Sequence, residues 1–455
     1  MAAYTISGDA ERALMSVRKA DLVVGIPSYN NARTIGHVVR AACAGLAKYF
    51  PGESAVILNS DGGSSDDTRD VVLGARVEDA RLFLLSTPLQ PVQRLSFPYH
   101  GIPGKGSAFR MIFEMARRLG AKACAVVDSD LRSITPEWID LLIRPILAGG
   151  YDFVAPYYHR HKYDGTITNS IVYPLTRSLY GLQVRQPIGG EFGVSARLLE
   201  RYLEREDWET DVARYGIDIW MTTVALAEGF RACQSFLGAK LHDAKDPGSD
   251  LSAMLQQVVG SVFLLMREYQ PVWRKVTGSR PVEIFGFRFD VGLEPIAVNV
   301  ERMVNAFRAA CHDLAEIWQS ALPADTYHAI LELGRQTESG ASPFALSDEL
   351  WTHIVFDFAV AYRSQKVGRT HLLRSLTPLY LARVASFVFE TRDMTSQEVE
   401  QRVEQLCLTF ERNKHYLIAR WEGDSDFREA TVPAADGLVP MGGVESRTEE
   451  APRNV

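Results

Sequence analysis

Two aspartates, Asp128 and Asp130, stand one residue apart at the end of an apolar run that reads as a β-strand. Alternation along a strand would place both carboxylates on one side and Ser129 on the other. Hard divalent cations prefer carboxylate oxygens, and Mg²⁺ typically takes one or two of them together with substrate phosphates. The pair is therefore a candidate metal site, although either acid could instead cap the helix that follows.

Two more polar loops follow apolar runs nearer the N-terminus. "PSYNN" supplies Pro27, Tyr29 and Asn31, and "SDGGSSDDT" places Asp61 at the exit of the next run. Each could be an ordinary turn. However, ligands of parallel sheets bind beyond the carboxyl ends of the strands, so these loops and the aspartate pair should share one crevice. Neither loop contains GxGxxG, which argues against a hydride-transferring dehydrogenase.

Two glycine-rich segments come later in the chain. "GIPGKG" opens a helix with Lys105, and helix N-terminal amides can meet a phosphate, although the spacing is not that of a P-loop. "QPIGGE" contains Gly189 and Gly190, which permit close approach of the backbone to a ligand. Glu191 could face that ligand or be a buried acid paired with an arginine.

Asp218 and His242 are the remaining candidates. Asp218 lies in an apolar helical stretch, where an unpaired charge would be costly, so it is either an ion-pair partner or a site residue. His242 follows a short strand, and a single histidine in that position is either a structural residue or a metal ligand.

The pattern of elements predicts how these residues are positioned. Up to His242, short β-branched runs alternate with helical patterns, which indicates an α/β fold with parallel strands covered by helices. After "KDPGSD" the chain becomes mainly helical. We predict an N-terminal extension (1–20), a catalytic domain (21–248), a helical domain (249–428) and a disordered tail (429–455).

The helical part shows two clear signatures. Apolar residues recur at helical spacing at Val300, Met303, Val304, Phe307, Cys311, Leu314 and Trp318. Thr395 and Glu398 form a capping-box pattern before an apolar stripe. That stripe consists of Val399, Val403, Leu406 and Phe410.

Composition excludes several classes of protein. The 455 residues include 49 Lys plus Arg and 56 Asp plus Glu, a formal net charge of -7, which argues against a general nucleic-acid binder. The five cysteines are scattered, which disfavours a disulfide framework or a zinc ribbon. We see neither a signal peptide nor an apolar run of roughly 20 residues, and expect a cytoplasmic protein without membrane contact.

The order of the motifs is more specific than any one of them. From Asp21 to Pro247, the succession PSYNN, DGGS, PGKG, DSD, QPIGGE, YGID and a late histidine resembles the nucleotide-sugar glycosyltransferases of the GT-A fold. More narrowly, it is similar to the retaining group of mannosylglycerate, glucosylglycerate and glucosyl-3-phosphoglycerate synthases. The resemblance implies a Rossmann-like GT-A domain with a mixed sheet, followed by a mainly α-helical C-terminal domain.

The resemblance also implies roles for the site residues. Asp130 and His242 would bind Mg²⁺ or Mn²⁺, with Asp128 on the ribose or the metal. Asp218 and Glu191 would face the sugar and its reacting centre. The donor, a nucleoside-diphosphate sugar, would contact Pro27, Tyr29, Asn31, Asp61, Lys105, Gly189 and Gly190.

The stretch "YYHRHKYDGTITNS" matches the acceptor loop of that group. Arg160 would pair with an acceptor carboxylate, which a guanidinium meets through two parallel bonds, and Thr168 and Asn169 would bind hydroxyls. Phosphoglycerate-using relatives have an arginine where this chain has Thr166, which favours unphosphorylated glycerate. Three nearby side chains could still receive a phosphate, namely His159, His161 and Lys162.

The implied activity is retaining transfer of a hexose, taken as glucose, to D-glycerate, giving the compatible solute glucosylglycerate. The sequence leaves open synthesis of glucosyl-3-phosphoglycerate or mannosylglycerate, and an inverting transferase. It also leaves open a non-catalytic protein that binds nucleotide sugars. A homodimer is the expected oligomer, since dimers are the commonest assemblies.

Overall fold

The computed structural model describes residues 7–75, 92–99, 102–241, 252–288, 296–335 and 344–423. Strands and helices alternate in the first half of the chain. The elements there are α1 (Gly8–Val17), β1 (Leu22–Ser28), α2 (Ile35–Tyr49), β2 (Ala55–Asp61), α3 (Thr68–Gly74), β3 (Gln93–Pro98), α4 (Lys105–Arg118), β4 (Ala123–Val126), α5 (Pro136–Gly149), β5 (Phe153–His159), α6 (Tyr173–Tyr180), β6 (Leu182–Gln183), β7 (Phe192–Ser195), α7 (Ala196–Glu204), α8 (Ile217–Ala227) and β8 (Ala232–Ala239).

Helices dominate the second half, where the two strands are short. The elements are α9 (Ser252–Glu268), α10 (Gln270–Trp273), β9 (Arg280–Pro281), β10 (Ile284–Phe285), α11 (Val300–Asp313), α12 (Ala315–Ala321), α13 (Ala324–Arg335), α14 (Asp348–Ser364), α15 (Arg369–Thr391), α16 (Ser396–Arg412) and α17 (Lys414–Gly423). A π-helical turn, Thr168–Val172, precedes α6.

Eight strands form one mixed sheet in the order β10-β8-β5-β7-β4-β1-β2-β3. Strand β1 pairs in parallel with both β2 and β4. Strand β7 is antiparallel to its neighbours β4 and β5. The predicted fold class, a mixed α/β sheet followed by a helical region, is confirmed.

The sheet is covered on both faces. All seven residues of β1 are buried, as expected for a central parallel strand. Apolar residues of α2 and α5 pack on one face. Those of α4 and α8 pack on the other, and this second core continues without a break into the helical region. The predicted domain boundaries stay predictions, and residues 429–455 lie outside the described part of the chain.

The helical signatures are largely confirmed. Helix α16 begins with the predicted capping box between Thr395 and Glu398, and all four residues of its apolar stripe are buried. The predicted periodic stretch from Val300 to Trp318 forms two helices, because Leu314 ends α11 and precedes α12.

Helix α15 differs from the expectation that no segment could span a bilayer. By length and composition it could, with a mean hydropathy of 1.2 over 18 residues, but 72% of that window is buried within the protein. Its apolar residues therefore serve the core, as its contacts with α9, α11 and α14 indicate.

Candidate active site

A cavity of about 980 Å³ opens at the carboxyl edge of the sheet. Loops after β1, β2 and β4 meet there, as the sequence predicted, together with the loops after β5 and β8. The predicted residues on its lining are Pro27, Tyr29, Asn31, Lys105, Asp128, Asp130, Arg160, Thr168, Gly189, Gly190 and Asp218. Asp61, Glu191 and Asn169 are not on the lining, and His242 lies outside the described residues.

The aspartate pair lies in a turn and not in a strand. Because β4 ends at Val126, alternation does not apply, and Ser129 lines the cavity together with both aspartates. The expectation that Ser129 faces the other side was wrong. Neither acid caps the next helix, since Thr135 occupies the N-cap position of α5.

Asn31 joins the first loop to the aspartate turn. Its side-chain oxygen accepts hydrogen bonds from the backbone N–H of Tyr29 at 2.8 Å and from Ser129 Oγ at 2.9 Å. The Tyr29 ring packs on Gly62 at the mouth of the cavity and is 64% exposed. It is therefore available to a planar ligand.

Asp61 organises its own loop and does not reach the cavity. Its carboxylate accepts bonds from Ser28 Oγ at 2.9 Å, from the Gly63 N–H at 3.0 Å and from the Ser64 N–H at 2.8 Å. The side chain is 1% exposed. In this structure Asp61 shapes the DGGS turn, and its donor contact stays a prediction.

The glycines of PGKG serve close packing. A Cβ at Gly106 would lie 1.8 Å from the carbonyl oxygen of Val212, and one at Gly104 would lie 2.4 Å from that of Ala213. These close approaches place the start of α4 directly against the turn before α8. Lys105 consequently lies at the centre of the cavity, with Nζ 2.8 Å from Asp128 and 3.2 Å from Asp218.

Lys240, at the end of β8, was missed by the sequence analysis. Its Nζ lies 2.7 Å from Glu191, 3.1 Å from Asp128 and 2.8 Å from the carbonyl oxygen of Gly189. Glu191 is thus a buried acid, which was one of its two predicted roles, but its partner is a lysine and not an arginine. A lysine that ends an apolar strand was the available signal, because a buried ammonium needs partners.

Gly190 lies directly against this cluster. Its φ is +96°, and a Cβ there would lie 2.3 Å from Asp128 Oδ2 and 3.0 Å from Lys240 Nζ. Any larger residue would push the aspartate and the lysine apart, so the second glycine of QPIGGE is required for the site.

Burial and the neighbouring lysines shift the pKa values of the three acids in this cluster in opposite directions. Burial raises the pKa of Asp128, but the positive charges of Lys105 and Lys240 outweigh it and hold that pKa well below its ordinary value. Burial also raises the pKa of Glu191 and of Asp218, and the lysines oppose this only in part. The three acids therefore differ in proton affinity, as is typical of functional sites.

The predicted acceptor residues are divided between two places. Arg160 lines the main cavity, and its Nε has no hydrogen-bond partner among the described residues. A Cβ on Gly165 would lie 3.2 Å from Arg160 Nη1 and 3.8 Å from Thr168 Oγ1, so the absence of a side chain keeps this space open. Asn169 instead lines a small separate cavity beside α15 and α16.

Asp130 has the properties required of a metal ligand. The residue lines the cavity and makes no ion pair or hydrogen bond within the described ranges. No group of three metal-ligating side chains forms in that part of the chain. A cation held largely by substrate phosphates needs only one or two carboxylates, so Asp130 fits a site of that kind.

The chain matches no protein-family model and no curated protein. Among solved structures, it is similar to the complex of glucosyl-3-phosphoglycerate synthase from Mycobacterium tuberculosis with Mn²⁺, uridine diphosphate and glucosyl-3-phosphoglycerate. The identity is 22% over 58% of this chain and 85% of that chain, with a TM-score of 0.40. For the complex of the same enzyme with Mn²⁺, UDP-glucose and phosphoglyceric acid, these values are 23%, 59%, 85% and 0.38. At this level the similarity concerns the fold alone.

Proposed function

We propose that this chain transfers a hexose, taken as glucose, from a nucleoside-diphosphate sugar to D-glycerate with retention of configuration. One observation carries the proposal. One cavity at the carboxyl edge of the sheet is lined by residues of separate segments that the sequence predicts to bind the donor, the metal or the acceptor. The convergence brings a carboxylate for a cation, two lysines for a diphosphate and an arginine for a carboxylate into one space.

The donor end of the cavity suits a diphosphate. Lys105 and Lys240 place two ammonium groups beside Asp128, and Asp130 offers a carboxylate for Mg²⁺ or Mn²⁺. Such a cation, when bound, would neutralise charge on the leaving diphosphate. We assign the base to the side of the cavity with Tyr29 and Asn31, and the sugar to Gly189, Gly190 and Asp218.

The acceptor end supports glycerate without a phosphate. The Nε of Arg160 has no hydrogen-bond partner among the described residues and could meet a carboxylate, and Thr168 lies across the open space at Gly165. Two of the expected phosphate-binding groups are engaged elsewhere. Lys162 donates to three backbone carbonyls, and the Nδ1 of His161 accepts a hydrogen bond from the backbone N–H of Tyr163.

Asp218 is our choice for the protein group nearest the reacting centre. It lines the cavity, and its Oδ1 has no hydrogen-bond partner among the described residues, although Lys105 lies 3.2 Å away. Glu191 lies behind Lys240 and off the lining, which supports a role in holding that lysine. In a retaining transfer of this kind, the acceptor hydroxyl attacks from the face that the diphosphate leaves. We expect the transition state to be stabilised mainly by electrostatic interactions.

A second candidate, transfer to 3-phosphoglycerate, is favoured by Arg214. Its side chain lines the same cavity and is 39% exposed, so it could reach a phosphate at the far end of the acceptor. Arg214 also lies 3.6 Å from Asp211, which would compete for its charge.

An end-point assay with purified protein tests the proposal. ADP-, GDP- and UDP-glucose and GDP-mannose are combined with D-glycerate or 3-phosphoglycerate, with and without Mg²⁺ or Mn²⁺, and released nucleoside diphosphate is measured. We expect release that needs both glycerate and metal. Release only with 3-phosphoglycerate would favour the second candidate. Binding of a sugar nucleotide without turnover on any acceptor would indicate a non-catalytic binding protein.

A further inference from the structure

The loop of residues 160–168, which we call the acceptor loop, is attached to a helix of the C-terminal region. Lys162 lies two residues after Arg160 and points away from the cavity. Its Nζ donates to the carbonyl oxygens of Thr391 at 2.7 Å, Arg392 at 2.8 Å and Met394 at 3.1 Å. These carbonyls lie at the C-terminal end of α15 and just beyond it.

In this contact, the donors of Lys162 and the carbonyls at the helix end satisfy each other. The last carbonyls of a helix lack partners within the helix, and the C-terminal end of the helix dipole favours a cation. An ammonium has three N–H donors, and the three carbonyls use all of them. The bond is therefore specific, and Lys162 has no donor left for a substrate.

Two other side chains of the acceptor loop contact the same helix. The hydroxyl of Tyr163 donates to the carbonyl oxygen of Val388 at 3.5 Å. Thr166 Oγ1 lies 2.5 Å from the hydroxyl of Tyr380, and both groups are buried. Three side chains of this loop thus contact α15 or the residues just after it, and the same loop carries Arg160.

We propose that Lys162 is a positioning residue for the acceptor, because it holds the loop that presents Arg160 and Thr168. The helical region then determines acceptor affinity through this contact. The inference rests on the proposed function. It concerns affinity for the acceptor and leaves the donor site, which other segments form, unchanged.

The test compares Lys162→Met with Lys414→Met. Lys414 is a matched control, because it too donates to backbone carbonyls between the helical region and the rest of the chain. Its partners are Ser178 and Val276, both at 2.7 Å. We expect Lys162→Met to raise the acceptor KM at least roughly tenfold, the effect of losing bonds to a charged group, with the donor KM unchanged. Lys414→Met should lower Tm while both KM values stay at the wild-type level.

Tyr380→Phe is a milder second variant should Lys162→Met fail to fold. It removes one hydroxyl, and we expect the acceptor KM to rise severalfold. A wild-type acceptor KM in a folded Lys162→Met protein would overturn the inference and leave the proposed function intact. When Lys162→Met does not fold, a wild-type acceptor KM in Lys162→Gln, which cannot make all three bonds, has the same meaning, whereas Tyr380→Phe tests only the contact with Thr166. A wild-type protein that transfers to no acceptor would instead overturn the proposed function, and with it the need for an acceptor loop.

Discussion

Lys240 Nζ lies 3.1 Å from Asp128 Oδ2, although 112 residues separate the two in the chain. The same ammonium contacts both carboxylate oxygens of Glu191. One cation thus connects an acid on the cavity wall to an acid in the core. The geometry of the donor site consequently depends on the end of β8.

Loss of Lys240 should be costly for stability. Glu191 is 0% exposed, so Lys240→Met leaves a buried carboxylate without its partner, and we expect the free energy of unfolding to fall by about 3 kcal/mol. Urea denaturation measures this. The exposed Lys122→Met, which also removes ion pairs, should change it far less, because water screens exposed ion pairs.

The double variant Glu191→Gln with Lys240→Met separates stability from catalysis. Removing the buried charge should recover most of the lost free energy of unfolding, while turnover should be low because one of the two ammonium groups beside Asp128 is missing. Recovery of turnover in the double variant would contradict the assignment of Lys240 to the donor site.

Gly190→Ala should abolish turnover. The new methyl group would lie 2.3 Å from Asp128 Oδ2, which forces the aspartate to move. Gly229→Ala is the matched control, because Gly229 also has a positive φ, +75°, but has nothing within 4 Å of its Cβ position. We expect the control to lose about 1 kcal/mol of stability and no activity. Equal activity of the two variants would refute the steric argument.

Asp130→Asn should weaken metal binding without unfolding the protein. Asp130 lines the cavity and makes no ion pair or hydrogen bond with the described residues, so its substitution breaks no contact with them. Titration with Mn²⁺ in the presence of a nucleoside diphosphate, followed by electron paramagnetic resonance, should show a Kd raised at least roughly tenfold. The exposed Asp313→Asn serves as control. An unchanged Kd in Asp130→Asn would exclude this residue as a ligand.

Acid should loosen the acceptor loop through His161. Burial, with help from the charge of Lys162, lowers the pKa of His161 below its ordinary value of 6.5, while Asp164 opposes the shift. The unfolded chain then binds the proton more readily, so stability falls as pH drops from 6.5 through the lowered pKa. His161→Gln should reduce the loss of Tm between pH 7.5 and pH 5, and the exposed His312→Gln should not.

The sequence predicted those features that are determined by residues close to one another in the chain. Strand–helix alternation predicted the α/β half, and the Thr395–Glu398 pattern predicted the start of α16, because both depend on periodicity and on bonds within one turn. The convergence of PSYNN, DGGS and DSD followed from the rule that ligands bind at the carboxyl edge of such sheets, whereas the places of PGKG and QPIGGE were implied by the resemblance alone.

Only the tertiary structure determined which groups each charged side chain contacts. The chain neighbours of Lys105 and Lys240 hint that these lysines matter, but the neighbours of Lys105, Lys162 and Lys240 do not identify the groups that each lysine contacts. Their partners lie 113, 229 and 112 residues away. The energy of a charge depends on the groups that surround it in space, and those groups come from strands and helices that the chain brings together only when it folds.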